Sequence, residues 1–212
     1  MNWSQLISRL EKRLQLPLPG AVAHEPLRAI PVGNLKPVFS HTLAPRPGGV
    51  LILLYEESGI IKFPLIKRTE YLGAHSGQVS FPGGKAEVGE TSLLAALREG
   101  EEEIGIRRDD VKVLGVLTDF YVIPSNFIVT PVIATINSPI FKPDEREVAR
   151  VLTARLDHLL LDEAVREKEI LAAGKYPLRA PHFEVEGEIV WGATAMMLNE
   201  FRMVLKDICD PF

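Results

Sequence analysis

Between Gly83 and Ile106 the chain reads GGKAEVGETSLLAALREGEEEIGI, and this stretch constrains the fold more than any other. Thr91 to Ile104 contains no proline, is rich in Leu, Ala and Glu, starts with the hydroxyl residues Thr91 and Ser92, and is followed by Gly105. Hydroxyl side chains accept from the free N–H groups of a first helical turn, and glycine adopts the left-handed conformation that closes a last one. The segment is therefore predicted to be a helix. At about 100° per residue, Leu93, Leu97, Gly100 and Ile104 share one stripe, while Glu99, Glu102 and Glu103 share an arc on the other side. One face reads as core, the other as carboxylate.

A row of glutamates on a helix is ordinarily a solvated face. Here Glu99 stands at i,i+3 from Glu102 and at i,i+4 from Glu103, close to the helix C-terminus. Like charges repel at those spacings, and the helix dipole disfavours anions at that end. A divalent cation relieves both penalties. Mg²⁺ or Mn²⁺ takes hard oxygen ligands, usually a few carboxylates completed by water and substrate phosphates. Arg98 would then orient a neighbouring glutamate.

The segment resembles the Nudix box, G-x5-E-x7-R-E-U-x-E-E-x-G-U with U aliphatic: Gly84, Glu90, Arg98, Glu99, Glu102, Glu103, Gly105 and Ile106 match it. Gly100 departs from it, standing at an aliphatic position. Interior glycine costs a helix about 1 kcal/mol relative to alanine, so this position weakens the helix or admits a close neighbour. The resemblance implies a metal-dependent hydrolase of a pyrophosphate bond in a nucleoside diphosphate derivative. It implies Mg²⁺ or Mn²⁺ held by Glu99, Glu102 and Glu103 with the Gly84 carbonyl, and water attacking phosphorus. Glu90 receives an orienting role beside the catalytic Glu99, Glu102 and Arg98. The general base stays open between a box glutamate and an acid of the Asp144, Glu145, Glu147 group.

The residues before the box, LIKRTEYLGAHSGQVSFPGGK, resemble the coenzyme A pyrophosphatase branch, whose signature is L-L-T-x-R-[SA]-x3-R-x3-G-x3-F-P-G-G. Arg68, Gly77, Phe81, Pro82, Gly83 and Gly84 match. Pro64, Ile66 and Thr69 depart from it, and Gly73 stands where the signature has arginine. Arg68, Gln78, Lys85 and His75 are accordingly the candidate substrate contacts. Lys67 alternates with Arg68 along a strand, so only one of the two should face the cleft. The branch implies coenzyme A or its thioesters as substrate. ADP-ribose or another nucleoside diphosphate-linked compound is the alternative, and a non-catalytic ligand sensor a third reading that the retained glutamates oppose.

A chain of 212 residues with 46% apolar composition fits one domain with a sizeable core. Its net charge of −4 and pI near 5.8 give no support for general binding to nucleic acid or a membrane surface. An anionic substrate must be met by local basic groups and metal. The single Cys209 excludes an intramolecular disulfide and a cysteine zinc cluster, which fits a reducing compartment. The sequence shows no apolar run as long as a membrane span and no uninterrupted apolar core of a signal peptide, so a cytoplasmic protein is expected. A homodimer is a permitted assembly.

Trp3, Leu6, Ile7, Leu10 and Leu14 recur at helical spacing, and Ala21 to Gly49 has scattered prolines. Residues 1–49 are thus expected to form a helix and an irregular arm packed on a domain spanning 50–208. Val50 to Glu56 and IIKFPLIKR read as strands around a turn at Ser58 and Gly59, with Pro64 marking an edge or a bulge. Further strands are predicted at Val111–Thr118, Ile128–Ile136 and Glu147–Ala154, then a helix at Asp162–Ala172. A hairpin about Gly187 and a helix from Ala193 to about Ile208 complete the chain. The order implies a Nudix-type α/β/α sandwich with a mixed β-sheet.

Overall fold

The computed structural model describes residues 2–35, 37–70 and 77–209. In chain order the elements are α1 (Trp3–Arg13), α2 (Ala21–His24), β1 (Ile30–Pro31), β2 (Arg46–Glu57), β3 (Ile60–Arg68), β4 (Val79–Ser80), β5 (Gly83–Lys85) and α3 (Ser92–Ile104). They continue with β6 (Lys112–Val116), β7 (Phe120–Val122), β8 (Phe127–Thr135), β9 (Val148–Arg155), α4 (Leu156–Leu160), β10 (Arg166–Ala172), β11 (Tyr176–Val185), β12 (Glu188–Trp191) and α5 (Gly192–Lys206).

A strand covered on both faces reads as an unbroken apolar run, and VLILLY in β2 is such a run. Leu51, Leu53 and Tyr55 point into one core with Ala96 and Ile104 of α3; Ile52 and Leu54 point into another with Leu6 and Leu10 of α1 and Phe201 of α5. Each fully buried aliphatic side chain of this kind contributes roughly 1.5–3 kcal/mol. The sheet between the two cores is mixed. β2 runs parallel to β8, from Arg46 against Phe127 to Leu54 against Thr135, and antiparallel to β3 and β5. Parallel neighbours require a crossover, and α3 lies within the chain that makes it. This is the expected α/β/α sandwich.

A second sheet of four strands joins β1, β11, β10 and β12. Its β11–β12 hairpin turns at Glu186 and Gly187, both with positive φ, as does the β2–β3 hairpin at Ser58 and Gly59. Paired left-handed residues match the twist of the flanking strands.

Three expectations need correction. Asp162–Ala172 is not a helix: a short 3-10 turn at Asp162–Ala164 leads into β10, paired with β11 from Arg166 against His182 to Ala172 against Tyr176. The arm is not irregular throughout, since it holds α2 and β1, and β2 already begins at Arg46. Of the two readings of Pro64, the bulge lies elsewhere, between Lys67 and Arg68, and the edge reading holds on one side of β3 only, since Pro64 pairs with Thr153 of β9 on the other. Pro64 occupies the gap between the pairing with β2, which ends at Lys62, and the pairing with β4, which begins at Ile66, where its missing N–H is harmless.

The N-terminal segment is held to α5 by a fully buried carboxylate. Glu200 Oε1 accepts from Gly20 N–H at 3.0 Å and from the Thr118 hydroxyl at 2.6 Å, and Oε2 lies 3.0 Å from His24 Nε2. Burial pushes the Glu200 pKa up, but bonds from His24, Thr118 and Gly20 outweigh it and hold the group below its ordinary value. A depressed carboxylate contributes stability above its unfolded pKa and loses it as pH falls through the folded one. Glu200→Gln exchanges one acceptor for a donor and should cost about 2 kcal/mol at neutral pH. Urea melts should show the difference shrinking as the solution is acidified.

Candidate active site

Helix α3 begins where Thr91 Oγ1 accepts from Leu94 N–H and ends at Gly105, which is left-handed with φ 70°. Its tight seating depends on a residue that carries no side chain. A Cβ on Gly49 would lie 1.9 Å from the Ser92 carbonyl oxygen, so α3 rests directly on β2. A Cβ on Gly100 would lie 2.9 Å from Leu51 Cδ2. The close neighbour admitted by that glycine is thus a core side chain.

One arginine organises the carboxylates. Arg98 Nε and Nη2 meet the two oxygens of Glu90 at 3.1 Å each, Nη1 meets Glu99 at 2.9 Å and Glu102 at 3.0 Å, and Nη2 also donates to the Lys85 carbonyl. Hydrogen bonding to Arg98 holds Glu90 below its ordinary pKa, and Glu90 in return heads the causes that raise Arg98. Glu99 moves up, because burial outweighs its bond to Arg98.

Glu103, on the arc that helical geometry places opposite the core, is nonetheless buried. Its side chain is 2% exposed, enclosed between α3 and the glycine turn. Oε2 accepts from Gly83 N–H at 2.8 Å, and Oε1 lies 3.0 Å from Arg68 Nη2 without a directed hydrogen bond. Burial raises this carboxyl to about 7 against the opposing Arg68 charge. A buried carboxylate oxygen lacking a donor, beside the half-buried Glu99 and exposed Glu102, is a set of hard oxygen donors fit for Mg²⁺ or Mn²⁺. Gly84 belongs to the same cradle: a Cβ there would come within 2.4 Å of Glu99 Oε1. No three side chains converge into a ready metal cage among the described residues; Arg98 Nη1 instead holds Glu99 and Glu102 together.

The remaining candidates are distributed around this centre. Lys67 turns away to Glu188 at 2.6 Å, while Arg68 faces Glu103 and donates to the Gly83 carbonyl. Gln78 and the exposed Lys85 meet the site through their backbone carbonyls, which accept from Arg68 N–H and Arg98. His75 and Gly73 lie outside the described residues. Asp144 is locked to Arg146, whose bonds lower its pKa to about 2. Glu147, by contrast, is close enough for its charge to raise both Glu99 and Glu103. Backbone groups of Gly83 and Lys85 take part in the site. The F-P-G-G signature marks Gly83, whereas Lys85, a candidate through its side chain, enters through its carbonyl.

The NUDIX domain family model matches residues 45–176, from the start of β2 to the start of β11. The chain belongs to the Nudix family. This Nudix chain is 34% identical to the Nudix hydrolase NudL of Pectobacterium atrosepticum, across 68% of itself and 74% of that relative. It is 30% identical to Nudix hydrolase 3 of Caenorhabditis elegans, across 85% of itself and 82% of the relative. Among solved structures it is similar to the Nudix hydrolase RenU of M. smegmatis, with a TM-score of 0.54 and 18% identity over 80% of this chain and 91% of that one. That likeness concerns the fold alone. Nudix hydrolases act on nucleoside diphosphate derivatives and generally use divalent metal ions. Among the described residues no helix is long and apolar enough to cross a membrane.

Proposed function

We propose that this Nudix hydrolase cleaves the diphosphate of coenzyme A or its thioesters, giving an adenosine bisphosphate and phosphopantetheine or its acyl form. The observation that carries this reading is the placement of the signature segment. Of its matching residues, Arg68, Gly83 and Gly84 lie against the carboxylates of α3: Gly83 N–H donates to Glu103, Arg68 faces the other Glu103 oxygen, and Gly84 sits beside Glu99. Residues shared with the coenzyme A branch thus border the chemistry, where they bear on which diphosphate enters.

In this reading Glu99, Glu102, Glu103 and the Gly84 carbonyl hold Mg²⁺ or Mn²⁺. The ion, when bound, offsets phosphate charge and lowers the pKa of a water. Arg98 keeps Glu90, Glu99 and Glu102 in one arrangement, which is the positioning that phosphoryl transfer demands of a protein. Lys85 and Gln78 flank the turn as candidate phosphate contacts, and His75, from the sequence alone, is a third. Glu147 is the acid outside α3 best placed to take a proton from water, since Asp144 is committed to Arg146.

The test is kcat/KM for coenzyme A against dephospho-coenzyme A and ADP-ribose, with Mg²⁺ and with Mn²⁺. Coenzyme A should lead, because only it carries the extra ribose phosphate. Gly73 in place of the signature arginine should weaken recognition by about 1.5–3 kcal/mol if that arginine meets a phosphate. Equal or better hydrolysis of ADP-ribose would remove the coenzyme A assignment.

A further inference from the structure

Arg68 matches a substrate-branch signature, yet its guanidinium is spent inward. Its Nη2 lies 3.0 Å from the Gly83 carbonyl and 3.0 Å from Glu103 Oε1, while Gly83 N–H donates to the other Glu103 oxygen at 2.8 Å. Gly83, Glu103 and Arg68 therefore close a ring of contacts that joins β3, β5 and α3. Resting on the metal reading of the site given above, we propose that Arg68 is a positioning residue for Glu103 and the Gly83–Gly84 peptide rather than a contact to substrate phosphate.

Three features support this. The register shift between Lys67 and Arg68 falls at the point where the strand must deliver Arg68 to Gly83. The Arg68 side chain is only 20% exposed, so a phosphate would have to compete with two groups already in place. Gly83 is seated directly on β2: it pairs with Val50, and a Cβ at its position would fall 2.4 Å from the Gly49 carbonyl oxygen. With one carboxylate oxygen held by a rigid peptide N–H and the other facing Arg68, the plane of Glu103 is fixed. Without Arg68, one bond would remain and the carboxylate could turn about its last torsion.

The sign of the effect on cation binding separates positioning from charge. Removing a positive charge near a cation site strengthens cation binding by Coulomb's law alone. Loss of a group that orients a ligand typically weakens metal affinity about 10–100-fold. The experiment measures Mn²⁺ binding to the full chain by electron paramagnetic resonance, without substrate, alongside kcat and KM at saturating Mn²⁺. Arg68→Met should lose about tenfold or more in Mn²⁺ affinity, with KM changed by less than about threefold. Arg68→Lys, which retains charge and a donor, should recover most of the affinity. In a Glu103→Gln background, Arg68→Met should weaken binding by less than about twofold more, because it acts through Glu103.

Wild-type Mn²⁺ affinity in Arg68→Met together with a tenfold higher KM would make Arg68 a substrate contact and overturn the proposal, as would additive losses in the double variant. Should Arg68→Met fail to fold, a raised KM with unchanged Mn²⁺ affinity in Arg68→Lys would overturn it equally. Intact coupling between Arg68 and Glu103 in a protein that cleaves none of the three diphosphates would uphold this inference and remove the proposed activity. Activity with additive losses would do the reverse.

Discussion

The Glu103→Gln protein is expected to fold and to hydrolyse its diphosphate substrate at least about a hundredfold more slowly than wild type. Glutamine preserves the volume and the acceptor for Gly83 N–H, so the turn keeps its bond. What disappears is the charge of a carboxylate that is 2% exposed and for which no water can substitute. Glu102→Gln should show a similar kinetic loss with almost no structural consequence, since that side chain is 59% exposed. Near wild-type turnover in Glu103→Gln would mean that the chemistry lies elsewhere.

The same variant should reveal the burden of this carboxylate in metal-free buffer. Burial raises Glu103 from 4.5 to about 7, so the folded state holds the proton more tightly than the unfolded one. Stability from this group is fully present below the unfolded value and is lost as pH rises through about 7. The loss is on the order of 3 kcal/mol at alkaline pH. Thermal melts in EDTA should therefore show Glu103→Gln gaining on wild type between pH 5 and pH 8. A constant difference across that range would show that Glu103 does not titrate there.

Among the described glycines, Gly49→Ala is expected to be the most damaging substitution. The added carbon would meet the Ser92 carbonyl at 1.9 Å and the Ala96 methyl at 3.1 Å. The first is helix backbone and cannot rotate aside, so α3 must lift from β2. Overpacking of this kind costs about 1–3 kcal/mol or more, and for a domain of this size roughly 3 kcal/mol would lower Tm by 6–12 °C. Lifting α3 also moves the carboxylates relative to Gly84, so activity should fall below what the remaining folded fraction explains. Gly59→Ala is the control, because its Cβ would meet nothing within 4 Å and only its φ of 77° would be penalised.

The box helix was legible because its caps, apolar stripe and glutamates agree with one another, and the structure starts α3 after Thr91 and ends it at Gly105. Strand β2 was legible in its centre, where an apolar run is buried on both faces. Its beginning was hidden, because Pro47, Gly48 and Gly49 carry turn chemistry. Those glycines serve close approach instead: Gly48 would strike the Gly84 carbonyl and Gly49 the Ser92 carbonyl. Strand β10 was unreadable for a different reason. Most of REKEILA is exposed, so no period of 2 marks it, and its residues favour helix locally. Pairing with β11 overrides that preference. The burial of Glu103 depends on the fold of β5 over the helix, and helical geometry alone could not supply it.

The parallel pairing of β2 with β8 has a consequence for how the molecule is assembled. The two strands lie far apart along the chain, and α3 is carried in the connection between them. Closing so long a loop costs entropy before any ladder bond rewards it, which makes such pairings slow steps in folding. The helix can form early from its own caps, but its glutamates meet Gly83 and Gly84 only once β5 is seated on β2. Recovery of catalysis after dilution from denaturant should therefore lag behind the return of helical signal.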